Sequence, residues 1–288
     1  MYKAKNPTNS GLRLIISPVR SGSTALLHCF VNNRFVDQTF YQPVKTGLRL
    51  EGKGDYKLFY RNDGRVVVAK ETMGPYFPNE CNLDIFPNGD KEQAIIVTRP
   101  VFLFRDPLAI YTSAKMRGWC DRSRPNNGFD VDKLSLVYRA VWNMYLYAVL
   151  AFERAQDCLG PLCVTYNQIA ENPEKILKTV CRYWGIEFDY RMLKWEIPFT
   201  EAVGNPENTE ASRKIVGGQD FFALIETGAF DGISASTGFL PINRDGEQYI
   251  TISDASRIID LGLCDIFKQI EEKTRAVIKK FDAIESFA

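Results

Sequence analysis

Ser17-Pro18-Val19-Arg20-Ser21-Gly22-Ser23-Thr24 sets one glycine, one arginine and a run of hydroxyl side chains between an apolar run and an apolar-periodic stretch. A turn of small residues at the start of a helix leaves backbone N–H groups unpaired, and these groups with the helix dipole favour an anion. Arg20 adds a fork of donors that can grip two phosphate or sulfate oxygens at once. The segment is a candidate phosphate-binding loop, with a plain strand-to-helix turn as the alternative. It is not a Walker A loop, because no lysine precedes the Ser-Thr pair.

A second cation and hydroxyl lie further along. Arg105 ends the apolar run Val101 to Phe104, and Ser113 follows eight residues later on a helical stretch. A guanidinium and a hydroxyl so placed can converge on one phosphate at the carboxyl edge of a sheet, where open α/β sheets bind ligands. Asp106, followed by Pro107, reads as the cap of that helix rather than as a magnesium ligand. His28, the single histidine, falls between Leu27 and Cys29 and reads as a packing residue.

Strands and helices must hold these groups. Leu12 to Ser17 reads as a strand and Thr24 to Asn32 as a helix; Val66 to Ala69 reads as a buried strand, parallel to the first. Val36 to Gly64, without periodicity, reads as a loop or partial hairpin. Leu108 to about Arg117 is a helix, and Cys120 to Asp130 an exposed loop. A long helix follows, with Val137, Val141, Met144, Tyr145, Ala148 and Phe152 on its apolar face. Leu162 to Tyr166 is a strand, and Asn172-Pro173-Glu174 opens a helix that stops at Gly185. The expected fold is one α/β domain over residues 1–288, a central, mostly parallel sheet flanked by helices, with the phosphate loop between first strand and first helix. Its core spans about 10–190, a loop-rich region about 198–246 is expected to cover substrate and cofactor, and a helix of about 264–281 closes the chain.

Composition narrows the classes. The 288 residues are 45% hydrophobic, enough for one large core. Lys plus Arg number 36 against 35 Asp plus Glu, so a formal charge of +1 gives no reason to expect nucleic acid or another polyanion at long range. Seven scattered cysteines form no CxxC pair and read as free thiols, with no metal site implied. Neither a signal peptide nor a run of about 18 apolar residues is present, so the expectation is a soluble, cytoplasmic protein without a membrane partner. The oligomeric state is left open, a homodimer included.

The two anion motifs resemble those of the PAPS-dependent sulfotransferase superfamily, PAPS being 3′-phosphoadenosine 5′-phosphosulfate. Pro18 to Thr24 is similar to its phosphosulfate loop, and Arg105-Asp106-Pro107 with Ser113 to its 3′-phosphate motif. Val164-Thr165-Tyr166-Asn167-Gln168-Ile169 and the helix from Asn172 to Gly185 continue the likeness, which covers roughly residues 10–190. It implies that Arg20, Ser21, Gly22, Ser23 and Thr24 hold the 5′-phosphosulfate, Arg105 and Ser113 the 3′-phosphate, and that Tyr166 lies near the adenine. Ser212-Arg213-Lys214 looks like a degraded late Arg-Lys-Gly element, which would add Arg213 and Lys214 to the 3′-phosphate site. Ala25 stands where many cytosolic members carry an adenine-stacking tryptophan, and the Arg20 loop looks closer to bacterial and carbohydrate-type branches.

The resemblance implies sulfuryl transfer from PAPS to a hydroxyl or nitrogen of a small-molecule acceptor, such as a natural product, releasing 3′-phosphoadenosine 5′-phosphate (PAP). No metal is required. Arg20 would stabilise the charge growing on the leaving oxygen. Lys70-Glu71-Thr72 is similar to a Glu- and Lys-containing segment of carbohydrate-type members, with the order reversed. Glu71 is thereby the candidate general base and Lys70 a contact to the leaving oxygen or sulfuryl group, the plain alternative being an ion pair at a strand end. Phe40-Tyr41, Tyr76-Phe77, Trp119 and Phe221-Phe222 are candidates to line an acceptor pocket or to fill the core. Two rival readings remain: an ATP- or GTP-dependent phosphoryl transferase using the same loop, and a non-catalytic nucleotide-binding module.

Overall fold

The computed structural model describes residues 11–75, 77–121, 123, 128–197, 199, 236–239 and 249–285. Five short strands build its sheet: β1 (Leu12–Pro18), β2 (Gln38–Tyr41), β3 (Val67–Met73), β4 (Val101–Phe104) and β5 (Leu162–Thr165). They run all parallel in the order β2-β3-β1-β4-β5. Parallel strands covered on both faces need continuous apolar runs rather than alternation, and LRLIISP, VFLF and LCVT supply them.

Helices fill both layers: α1 (Ser23–Val31), α2 (Pro43–Glu51), α3 (Pro78–Cys81), α4 (Lys91–Thr98), α5 (Pro107–Met116), α6 (Val131–Arg154), α7 (Tyr166–Glu171), α8 (Pro173–Trp184), α9 (Ile252–Asp260) and α10 (Leu263–Glu285). On one face Leu14, Ile16, Ala69, Phe102 and Phe104 meet Val137, Tyr138 and Val141 of α6 and Ile270 of α10. On the other, Ile15, Val68, Leu103 and Val164 meet Leu26, Leu27 and Phe30 of α1 and Leu177 and Val180 of α8. Phe104 lies 5.6 Å from the Tyr138 ring and is fully buried, so truncating it to alanine would cost about 3–5 kcal/mol.

Caps fix the ends that matter to the site. Asp106 accepts a hydrogen bond from Leu108 N at 2.8 Å and so caps α5. Thr165 and Gln168 form a capping box on α7. Asn172 caps α8, with Pro173 in its first turn and Gly185 ending it in the left-handed region at φ 67°.

Three departures from the sequence reading have physical causes. The region from Val36 to Gly64 is no hairpin: β2 lies parallel to β3 as an edge strand and is followed by α2. The strand expected over Val66 to Ala69 continues to Met73, so Lys70 and Glu71 lie inside it. Charged residues persist there because α2 supplies partners for Glu71 that sequence periodicity does not show. α3, α4, α7 and α9 also lie outside the expected elements: Tyr166, read as a strand end, opens α7, α3 is one turn long, and α4 mixes charged and apolar residues without one clean face. Among the described residues no helix is long and apolar enough to cross a membrane, and all seven cysteines carry free thiols.

Candidate functional site

The loop after β1 is shaped by two left-handed residues, Arg20 (φ 63°) and Gly22 (φ 88°), on either side of Ser21. Such turns gather backbone N–H groups into a concave, anion-favouring surface. Val19 N donates to Met73 O at 3.1 Å, tying the loop to the end of β3. Gly22 caps α1 without any side-chain hydrogen bond, so the dipole and amides of the first turn face the loop. The Ser21 hydroxyl is fully buried and has no hydrogen-bond partner among the described residues. Gly22 has a second requirement. A Cβ there would stand 2.5 Å from Cδ2 and 2.8 Å from Cε2 of Tyr166.

Residues from three strand ends meet at this loop. Nε and Nη2 of Arg20 donate to Ser113 Oγ at 3.1 and 3.0 Å. Two N–H groups occupy the acceptor capacity of that hydroxyl, which leaves its O–H as a donor. The Arg20 guanidinium lies 5.2 Å from the Trp119 ring centroid. Arg105 Nη1 donates to Arg20 O at 3.3 Å, and its guanidinium lies 4.5 Å from the Tyr166 ring centroid. Tyr138 OH donates to Arg105 O at 3.2 Å, and Tyr166 packs against Phe239 at 5.3 Å between centroids. The structure thus brings Arg20, Ser21, Gly22, Ser23, Thr24, Arg105, Ser113 and Tyr166 together at the carboxyl edge of β1, β4 and β5.

Lys70 and Glu71 are not an ion pair at a strand end, because adjacent strand residues project to opposite faces. Glu71 is fully buried and accepts from Val44 N at 2.7 Å and Lys45 N at 3.4 Å, the first turn of α2. Burial pushes its carboxyl up to about 7 against the pull of these amides and of Lys45. Lys45 Nζ lies 3.4 Å from Glu80 Oε2 and donates to the carbonyls of Thr72, at 3.1 Å, and Gly74. Burial lowers its ammonium to about 8, opposed by Glu80. Arg49 completes the cluster on Glu80. Lys70 lies with Nζ 3.9 Å from the Tyr41 ring centroid, and burial holds it well below the usual lysine range, with Lys45 and Arg20 adding to the shift and Glu71 opposing it.

His28 packs between Trp195 and Phe199, with Nε2 2.7 Å from Ile197 O. Phe40 is buried in the core, whereas Phe77 is exposed. Ser212, Arg213, Lys214, Tyr76, Phe221 and Phe222 lie outside the described residues. Lys45 and Phe239 had no place in the sequence reading; Pro43, a helix-start signal, could have pointed to Lys45, and nothing local marks Phe239.

No protein-family model matches the chain, and no curated protein matches it. Among solved structures it is similar to mouse sulfotransferase SULT7A1 complexed with PAP, at 13% identity, over 98% of this chain and 90% of that one, with a TM-score of 0.43. The sulfotransferase domain from the Synechococcus PCC 7002 olefin synthase is 14% identical over 89% of this chain and 94% of that one, TM-score 0.44. The sulfotransferase domain from the curacin biosynthetic pathway is 11% identical over 85% and 97%, TM-score 0.42. At TM-scores of this size the function of the chain rests on its own residues.

Proposed function

We propose that the chain is a PAPS-dependent sulfotransferase acting on a hydroxyl or nitrogen of a small-molecule acceptor. The observation that carries this reading is the meeting of two anion motifs far apart in sequence: Arg20 on Ser113 Oγ, and Arg105 on the carbonyl of Arg20. A loop with an uncapped helix start and a buried serine hydroxyl suits one phosphate group. Arg105, tied to Arg20, with the remaining O–H of Ser113 as a donor, suits a second. A nucleotide bearing phosphates at both 3′ and 5′ positions would use both, while ATP would leave the Arg105 and Ser113 pair without a purpose.

In this reading the amides of Ser21 to Thr24 and the Arg20 guanidinium hold the 5′-phosphosulfate, and Arg20 stabilises the negative charge that grows on the bridging oxygen as the S–O bond breaks. Arg105 and Ser113, with Arg213 and Lys214 as expected additions, bind the 3′-phosphate. The Tyr166 ring, with Phe239 packed against it and Arg105 over it, is the aromatic proposed to lie near the adenine, where Ala25 supplies none. Lys70 and Glu71 are the candidates for the nucleophile's proton, and only Lys70 shares the sheet face covered by α1.

The test is turnover of ³⁵S-labelled PAPS with a panel of phenols, alcohols and amines, following PAP release and label transfer. Release that an acceptor accelerates and Arg20→Ala abolishes supports the reading. Transfer of the γ-phosphate from ATP under the same conditions would replace it with phosphoryl transfer. PAP binding without any release would leave a nucleotide-binding module.

A further inference from the structure

Lys70 and Glu71 are neighbours on β3 with different surroundings. Glu71 continues the series Val67, Ala69 and Met73, on the face where Val44 of α2 packs. Both of its carboxylate oxygens are engaged by the amides of α2, and it is 0% exposed. Lys70 continues Val68, on the face covered by α1, the helix that the phosphate loop opens. It stands beside Tyr41, its register partner on β2, and is 1% exposed. Among the described residues Lys70 Nζ makes no hydrogen bond and no ion pair; its close contact is the Tyr41 ring face.

An ammonium buried without an acceptor loses more hydration than an aromatic face returns, so the favoured state at such a position is the free amine. The charged groups that act on it point the same way. Lys45 from α2 and Arg20 from the loop repel a proton, and among the described residues Glu71 on its own strand opposes them. A lysine amine with its lone pair free, on the sheet face covered by α1 and within the electrostatic reach of Arg20, is placed to accept a proton.

We infer that Lys70, as an uncharged amine, takes the proton from the nucleophile, and that Glu71 anchors the amino end of α2. The inference rests on the sulfuryl-transfer reading. In the step, the nucleophile's O–H or N–H bond breaks and its proton goes to the Lys70 Nζ lone pair. The new O–S or N–S bond forms as the bond from sulfur to the 5′-phosphate oxygen breaks, and that electron pair stays on the phosphate, leaving as PAP under Arg20. Arginine at this position would keep a charge but could accept no proton.

The test combines two readouts on the full chain. With ¹⁵N-labelled lysine, the Nζ resonance of Lys70, assigned by its loss in Lys70→Met, should carry an amine shift at pH 7.5, with and without PAP. With water as the acceptor, PAPS breakdown to PAP and sulfate should fall about 10²- to 10⁴-fold in both Lys70→Met and Lys70→Arg. Its rise with pH through the amine's titration should vanish, while PAP affinity changes less than threefold. Thermal melts confirm that each variant folds, and either variant suffices. An ammonium shift at pH 7.5, or turnover within tenfold of the parent, overturns the inference. Failure of the parent chain to bind PAP by calorimetry would instead sink the sulfotransferase reading, and this assignment with it.

Discussion

Replacing Gly22 with alanine tests how tightly the loop and the Tyr166 ring, proposed to stack on the adenine, are coupled. The residue sits at φ 88°, where an L side chain costs roughly 1–2 kcal/mol. The added Cβ would stand 2.5 and 2.8 Å from two ring carbons of Tyr166, with Cζ of Phe239 at 3.8 Å. Carbon atoms settle at about 3.5–4.0 Å, so the ring must withdraw by about 1 Å, and Arg105, stacked on it at 4.5 Å, must follow. Losing a stacking face is worth about 1–3 kcal/mol per base, which is roughly 5- to 150-fold in PAP affinity. Gly64→Ala is the control: it has φ 75° with nothing within 4 Å of its Cβ, so it carries the backbone strain alone. Calorimetry and thermal melts on both variants separate the two effects. Gly22→Ala should lose both stability and PAP binding, and Gly64→Ala stability only. A Gly22→Ala protein that bound PAP within twofold of the parent would refute the coupling.

Further outcomes follow from the same geometry. Glu71 ionises near 7 in the fold against an ordinary 4.5, so the folded chain holds a proton that the unfolded chain releases, and stability falls as pH rises between those values, by roughly 3 kcal/mol. Melting temperatures from pH 5 to 8 should fall more steeply for the parent than for Glu71→Gln; parallel curves would contradict the burial argument. Ser113→Ala removes the hydroxyl that orients Arg20 and should weaken PAP about 10- to 100-fold, with AMP affected less than threefold in the same titrations. Asp106→Ala loses the cap on Leu108 N, about 1 kcal/mol, and should lower the melting temperature by about 2 °C with little change in far-ultraviolet circular dichroism.

The parts of the fold legible in the sequence are those encoded locally. LRLIIS before a small-residue loop, VFLF before Arg-Asp-Pro, and Asn172-Pro173 with Gly185 each carry their own start and stop chemistry, and these elements formed where their residues imply. The Lys70 and Glu71 strand is not legible beyond Ala69, because two charges interrupt the apolar run, and the amides that hold Glu71 sit on α2, some 26 residues away along the chain, while Lys70 lies against Tyr41 of β2. Tertiary contact also hid the aromatic support of the cations. Trp119 under Arg20, Tyr41 under Lys70 and Phe239 behind Tyr166 have no spacing in common with the residues they support. The residues of the proposed anion motifs stand out in the sequence because hydroxyls, glycine and arginine beside a strand end have few other uses. Which of two adjacent titratable residues lies on the sheet face covered by α1 depends on strand alternation alone.

In the proposed function one nucleotide engages both anion motifs at once, its 5′-phosphate at the Arg20 loop and its 3′-phosphate at Arg105 and Ser113. The direct measurement is a calorimetric titration with PAP, ATP and AMP, repeated on Arg105→Ala. Micromolar PAP binding that Arg105→Ala weakens at least tenfold, about 1.4 kcal/mol, with AMP and ATP weaker throughout, is the predicted result. ATP binding as tightly as PAP, with no dependence on Arg105, would contradict it.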